Sequence, residues 1–117
     1  MKYFRFVVAL TTLLCSVENV SAGDDVDTKR LTLVEENHAQ LTIQNVPYTL
    51  DSYIIMFQQP YYVKVKRDDL KPIPFEVAVA VAKEYIQPRG CTEPISRATN
   101  LDKSNSDNSQ WLIGILC

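Results

Sequence analysis

Few residues of this chain are of types that do chemistry, and their spacing limits what they could do. His38 is the single histidine. Ser-His-Asp hydrolysis or imidazole proton transfer would have to run through it alone. A zinc centre needs three or four nitrogen or sulfur ligands, and no second histidine exists to supply one. His38 therefore reads as an exposed turn residue. Carboxylates occur as the pairs Glu35-Glu36 and Asp68-Asp69. Glycosidases hold two carboxyls about 5–10 Å apart across a cleft, whereas adjacent loop carboxylates point apart into water. Asp24, Asp25 and Asp27 cluster as well, but a calcium loop gathers six or more oxygens around a glycine turn and a closing glutamate, which this stretch lacks. Only Gly23, Gly90 and Gly114 are available, so no glycine-rich phosphate loop can form. The expectation is a chain that is not an enzyme, with no catalytic residue, no metal ligand and no cofactor.

The cysteines carry more. Met1–Arg5 is a short basic start, Phe6–Cys15 an apolar run of the length of a secretory core, and Val20-Ser21-Ala22 offers small residues where a signal peptidase reads them. Residues 1–22 are expected to be a cleaved signal peptide, with Gly23 as the new N-terminus. Leu14 is not the small residue that precedes a lipid-modified cysteine, which argues against an anchor at Cys15. Export to a secreted or periplasmic location leaves Cys91 and Cys117, and an oxidising compartment pairs them as a structural disulfide. A redox pair would favour Cys-x-x-Cys at a helix start, where the thiolate is stabilised. Cys91 instead follows a helix end, where the dipole disfavours a thiolate.

Charge narrows the partners. The net charge is −2, and loss of the leader with Lys2, Arg5 and Glu18 makes it about −3. Nucleic acid, which calls for a dominant positive field, is not an expected partner. No second apolar stretch approaches the roughly 20 residues of a membrane span, so none is expected after cleavage.

The elements that must position these residues follow from periodicity. Residues 23–29 read as a flexible acidic leader and 30–117 as one domain. Leu31 and Leu33, then Leu41 and Ile43, alternate with polar residues, and Glu35–His38 between them is rich in turn formers; this predicts a hairpin. Pro47 is expected to end its second strand. Tyr53–Gln58 and Tyr61–Arg67 predict a second hairpin, joined by Gln58-Gln59-Pro60. Pro72 and Pro74 suit a helix entry, and the polar arc of Glu76, Lys83, Glu84 and Gln87 predicts a helix over about 75–87. Phe75, Ala78, Ala82, Tyr85 and Ile86 then form its apolar side, widened by Val77, Val79 and Val81. Pro88 and Gly90 stop it. Thr92–Ser109 reads as a long loop with a short helical turn near Leu101. Gln110–Cys117 is apolar on both faces, the mark of a strand inside a sheet. The expected fold is α+β: a small, mostly antiparallel sheet of four to five strands on one main helix, with the C-terminal strand tied by the disulfide.

Two surfaces stand out. Tyr62, Lys64 and Lys66 share a strand face, with Arg67 following; aromatic and cationic groups so arranged hold a sugar or an anionic ligand. The same lysines equally suit a wet face guarded against edge pairing. The second surface is the 92–109 loop, with Arg89 just before it and Arg97 within it. The expectation is a small exported non-catalytic domain that binds an extracytoplasmic protein or an anionic or sugar ligand. The alternatives are an inhibitor of a secreted hydrolase, with the loop as its insertion element, and a small enzyme whose site one sequence does not reveal.

Overall fold

The computed structural model describes residues 24–92 and 94–117. The expected signal peptide, its cleavage point and Cys15 lie outside the described residues. Six strands and one main helix follow in the order β1 (Thr32–Ile43), β2 (Val46–Ile54), β3 (Tyr61–Arg67), α1 (Phe75–Ile86), β4 (Ser96–Arg97), β5 (Lys103–Ser104) and β6 (Gln110–Leu116). They form one antiparallel sheet in the spatial order β1-β2-β3-β6-β4, with β5 also on the outer side of β6. The domain is a small α+β fold, and β6 lies inside the sheet as its two apolar faces require.

The first hairpin is not where the turn formers predicted it. β1 runs straight through Glu35–His38 and bulges there: Val34 pairs with Ser52 and Ala39 with Leu50, so four residues of β1 oppose Asp51 alone. The polar cluster interrupts the ladder without reversing the chain. Its three extra residues are an odd number, so the side-chain alternation flips across the bulge. Leu41, opposite Tyr48, faces the helix; Leu33, opposite Tyr53, faces away and stays exposed. The reversal falls at Gln44-Asn45, both left-handed with φ of 52° and 67°, as a two-residue hairpin turn demands. β2 then begins at Val46 and passes through Pro47 instead of ending there. This is tolerated because Pro47 stands before the β2–β3 ladder begins at Tyr48. Of the run 53–58, only Tyr53 and Ile54 are strand. Ile55–Gln58 turns back, closed by the Gln58 N–H donating to the Ile55 carbonyl at 2.9 Å.

Helix α1 starts after Pro74 as expected and ends at Ile86, with Pro88 and Gly90 (φ 122°) completing the stop through a short 3₁₀ turn, Gln87–Arg89. It buries Ala78, Val81, Ala82, Tyr85 and Ile86 against Tyr48, Leu50, Val63, Val65, Ile113 and Ile115. Its packing is mainly on β3 and β6. Phe75 and Val77, expected in the apolar sector, remain about 40% exposed: Val77 faces the β1–β2 side that one helix does not cover, and Phe75, at the start of the helix, packs on Trp111 and under Arg97 with the rest of its ring in solvent. Cys91, fully buried, bonds to Cys117 across 26 positions.

The opposite face holds a smaller cluster of Val26, Tyr62 and Leu112, with Leu31, Tyr53, Ile55 and Leu101 against it. The acidic leader is thus held in place, not frayed. Val26 is buried, and its N–H donates to Gln110 Oε1 at 3.1 Å. The loop 92–109 is likewise laid along β6 by β4, β5 and the Thr99–Leu101 turn.

Candidate functional site

β1 is the edge of the sheet. In a hairpin with a two-residue turn the flanking pair is hydrogen-bonded and the ladder alternates from there. Ile43, Leu41 and Ala39 therefore bond inward to β2, and the backbone N–H and C=O groups of Gln40 and Thr42 point outward. No charged residue occurs from Ala39 to Val46. Natural edges are usually blunted by charge, proline or a bulge. Here the bulge with Glu35 and Glu36 guards one half of β1, and the other half is left open.

Beside the open half lies a groove of about 490 Å³ between the hairpin and α1. Ile43, Val46 and Tyr48 form its sheet side and Val77, Ala80 and Val81 its helix side. Glu76 and Glu84 are exposed on the helical lip, two turns apart, and Arg67 closes one end. Arg67 is oriented there by Asp69, whose Oδ1 accepts from Arg67 Nε at 2.8 Å and from the Lys71 N–H at 3.3 Å. Partial desolvation would raise the Asp69 pKa, but these two bonds outweigh it and hold the carboxyl below its ordinary range. Tyr48, at the groove floor, has its phenol pushed up by burial, with the Arg67 charge opposing. The groove is apolar inside and charged only at its rim, which suits an extended chain with alternating apolar side chains and a cation toward the helix.

Tyr62, Lys64 and Lys66 share one face of β3, and Arg67, which follows them, lies on the other. Tyr62 is 1% exposed, roofed by Val26 and Leu112, and presents no ring to solvent. Lys64 and Lys66 are half-buried on that same face. Lys64 stands opposite Asp51 in the β2–β3 register. Arg67 turns to the helix side, opposite Tyr48. The alternation of the strand was legible; the chain that returns over Tyr62 was not.

His38 lies in the bulge, not in a turn, and its Nδ1 pairs with Asp51 Oδ1 at 2.7 Å, with the imidazole about half exposed. Among the described residues no serine or cysteine is bonded to it. The buried Ser52 hydroxyl sits on the other face, accepting from Asn37 Nδ2 at 2.9 Å, and Tyr85 donates its phenolic proton to the Asn37 carbonyl. Burial pushes the Tyr85 phenol up, so it stays a neutral donor. These bonds hold the bulge against α1.

The acidic start is engaged as well. Asp24 Oδ1 accepts from the Ser106 N–H and Oγ at 3.0 and 2.7 Å, which depresses its pKa. Asp25 Oδ1 accepts from Gln110 Nε2 at 2.9 Å. Within the 92–109 loop, Arg97 is paired to Asp102 and donates from Nε to the Gly114 carbonyl at 2.9 Å.

No family model, no curated protein and no solved structure matches this chain.

Proposed function

We propose that the protein is an exported, non-catalytic binding domain, secreted or periplasmic, whose working surface is the open half of β1 with the groove beside it. The ligand is an extended segment of a partner protein, added to the sheet as a further strand. The observation that carries this reading is the coincidence of an uncharged free edge, 39–43, with an apolar groove on the face where an added strand would drop alternate side chains. Main-chain bonds from Gln40 and Thr42 supply affinity, and Glu76 and Glu84 select a basic residue in the incoming segment. The Cys91–Cys117 bond supports the location, since such bonds persist in oxidising compartments. An inhibitor acting through 92–109 draws less support, because that loop is laid along β6.

The test uses a short synthetic peptide alternating valine and lysine, titrated into the protein and followed by NMR. The amides of Gln40 and Thr42 are expected to shift and to gain exchange protection. Thr42→Pro removes an outward donor and no bond to β2, so it is expected to keep the fold and abolish binding. Glu84→Lys is expected to weaken binding several-fold at low salt. Binding that survives Thr42→Pro, or that leaves the Gln40 amide unmoved, would overturn the reading.

A further inference from the structure

The turn between β2 and β3 carries a second surface, on a different end of the sheet. Its residues Ile55–Gln58 form a tight turn with Phe57 in the third position at φ 71°. That position calls for glycine, and a bulky aromatic there is a true conformational outlier. Among the described residues nothing covers the side chain: Phe57 is 101% exposed, and Met56 before it is 55% exposed. Leu33, flipped outward by the bulge in β1, is 43% exposed at the same end, opposite Tyr53. Strained backbone that holds an apolar side chain in water points to a use for that side chain outside the fold.

The surroundings say what it meets. Ile55, at the root of the turn, lines a shallow depression with Leu31, Leu101 and Leu112, whose polar lining is Lys29, Arg30 and Lys103 with one carboxylate, Asp27. All three cations are exposed. Asp27 is turned back on its own chain, where its Oδ1 accepts from the Lys29 N–H at 3.0 Å. The arrangement is a convex apolar wedge beside a net positive patch, on a molecule that is otherwise acidic. An apolar tip that projects fully into solvent beside a shallow, cation-rimmed depression fits a deformable, negatively charged surface.

We propose that this end of the domain docks on an anionic lipid bilayer. Phe57 and Met56 enter the acyl boundary, and Lys29, Arg30 and Lys103 lie at the headgroup phosphates. Burial of one aromatic side chain and attraction of a few cations give reversible attachment, not insertion. The docked tip leaves the β1 edge free, so both surfaces can be used at once.

The experiment measures co-sedimentation of the exported protein, with one N-terminus verified by mass spectrometry for every variant, on vesicles of phosphatidylcholine with and without phosphatidylglycerol. The wild type is expected to bind only the anionic vesicles, and less as salt is raised. Phe57→Gly is expected to lower the partition by about tenfold or more, the worth of one buried aromatic. Its melting temperature is expected to hold or rise, because glycine relieves the positive φ. Lys29→Gln with Arg30→Gln is expected to lower binding by at least about tenfold at low salt. In Phe57→Trp the added emission is expected to shift blue on anionic vesicles. No binding by the wild type, or binding unchanged in Phe57→Gly, overturns the proposal. A tip that ignores lipid but whose loss abolishes association with a protein also overturns it, and assigns the wedge to a protein pocket.

Discussion

Gly114 shows how a single residue decides what can lie over a strand. A Cβ built there would stand 1.9 Å from the Ala98 carbonyl oxygen. The chain at 97–102 crosses β6 at this point: the Ala98 N–H donates to the Gly114 carbonyl at 3.1 Å, and the Gly114 N–H donates to Asp102 Oδ1 at 3.0 Å. Close backbone approach of this kind admits only glycine. Gly114→Ala is expected to destabilise the domain by about 3 kcal/mol or more, since the obstacle is backbone and cannot swing aside. Chemical denaturation reads the change, and a loss under 1 kcal/mol would mean the crossing segment is free to lift. In the sequence Gly114 was one glycine in an apolar strand; nothing local named Ala98 as its neighbour. The bulge at His38 and the cover over Tyr62 were hidden for the same reason. Each was assigned from its own segment, and its surroundings come from another.

At the scale of elements, the segment 24–27 behaves as a strap on the sheet. Asp24 is tied to Ser106, Asp25 to Gln110, and Val26 is buried beneath them. Asp107 is tied in turn to Ser109 through its N–H and Oγ at 3.1 and 2.7 Å. Hydrogen bonds from Ser106 lower the Asp24 pKa, and those from Ser109 lower that of Asp107, from an ordinary 3.8. A depressed folded-state pKa stabilises the folded form above the unfolded value, and this is lost as pH falls through the folded value. The strap and the 105–109 loop are therefore expected to loosen only below about pH 3.8, while both stay closed at neutral pH. Amide exchange at Val26 and Ser106 on acidification measures this. Equal protection of both amides well below that pH would show that the carboxylates contribute nothing. Helix α1 was legible because Pro74, the polar arc and Pro88 are all local. The hairpin turn was missed because Gln44-Asn45 lacks the usual glycine, while the stronger turn composition at Glu35–His38 belongs to a bulge.

For the whole molecule the disulfide is the closure. Cys117 directly follows β6 and Cys91 follows the helix and its 3₁₀ turn, so their bond joins the two layers and shuts a loop of 26 positions. The chain-entropy estimate for such a loop is about 3–4 kcal/mol. Domains of this size are stable by only about 5–15 kcal/mol. Cys117→Ser, or reduction of the wild type, is expected to lower the melting temperature by about 10 °C or more. A melting curve indifferent to reductant would show that packing of β6 between β3 and its outer strands suffices by itself.

The sequence alone determined the class of the fold, the helix, the interior place of the last strand and the cysteine pairing. Each depends on residue type, on short-range periodicity, or, for the cysteines, on the expectation that Cys15 belongs to a cleaved leader, which leaves Cys91 and Cys117 to join. The tertiary structure alone decided which strand face is roofed, where β1 bulges, and that the helix stops short of the β1 edge. Those features arise from contacts between residues dozens of positions apart, such as Val26 with Gln110 or Ala98 with Gly114. Local propensity has no knowledge of such pairs until the chain closes on itself.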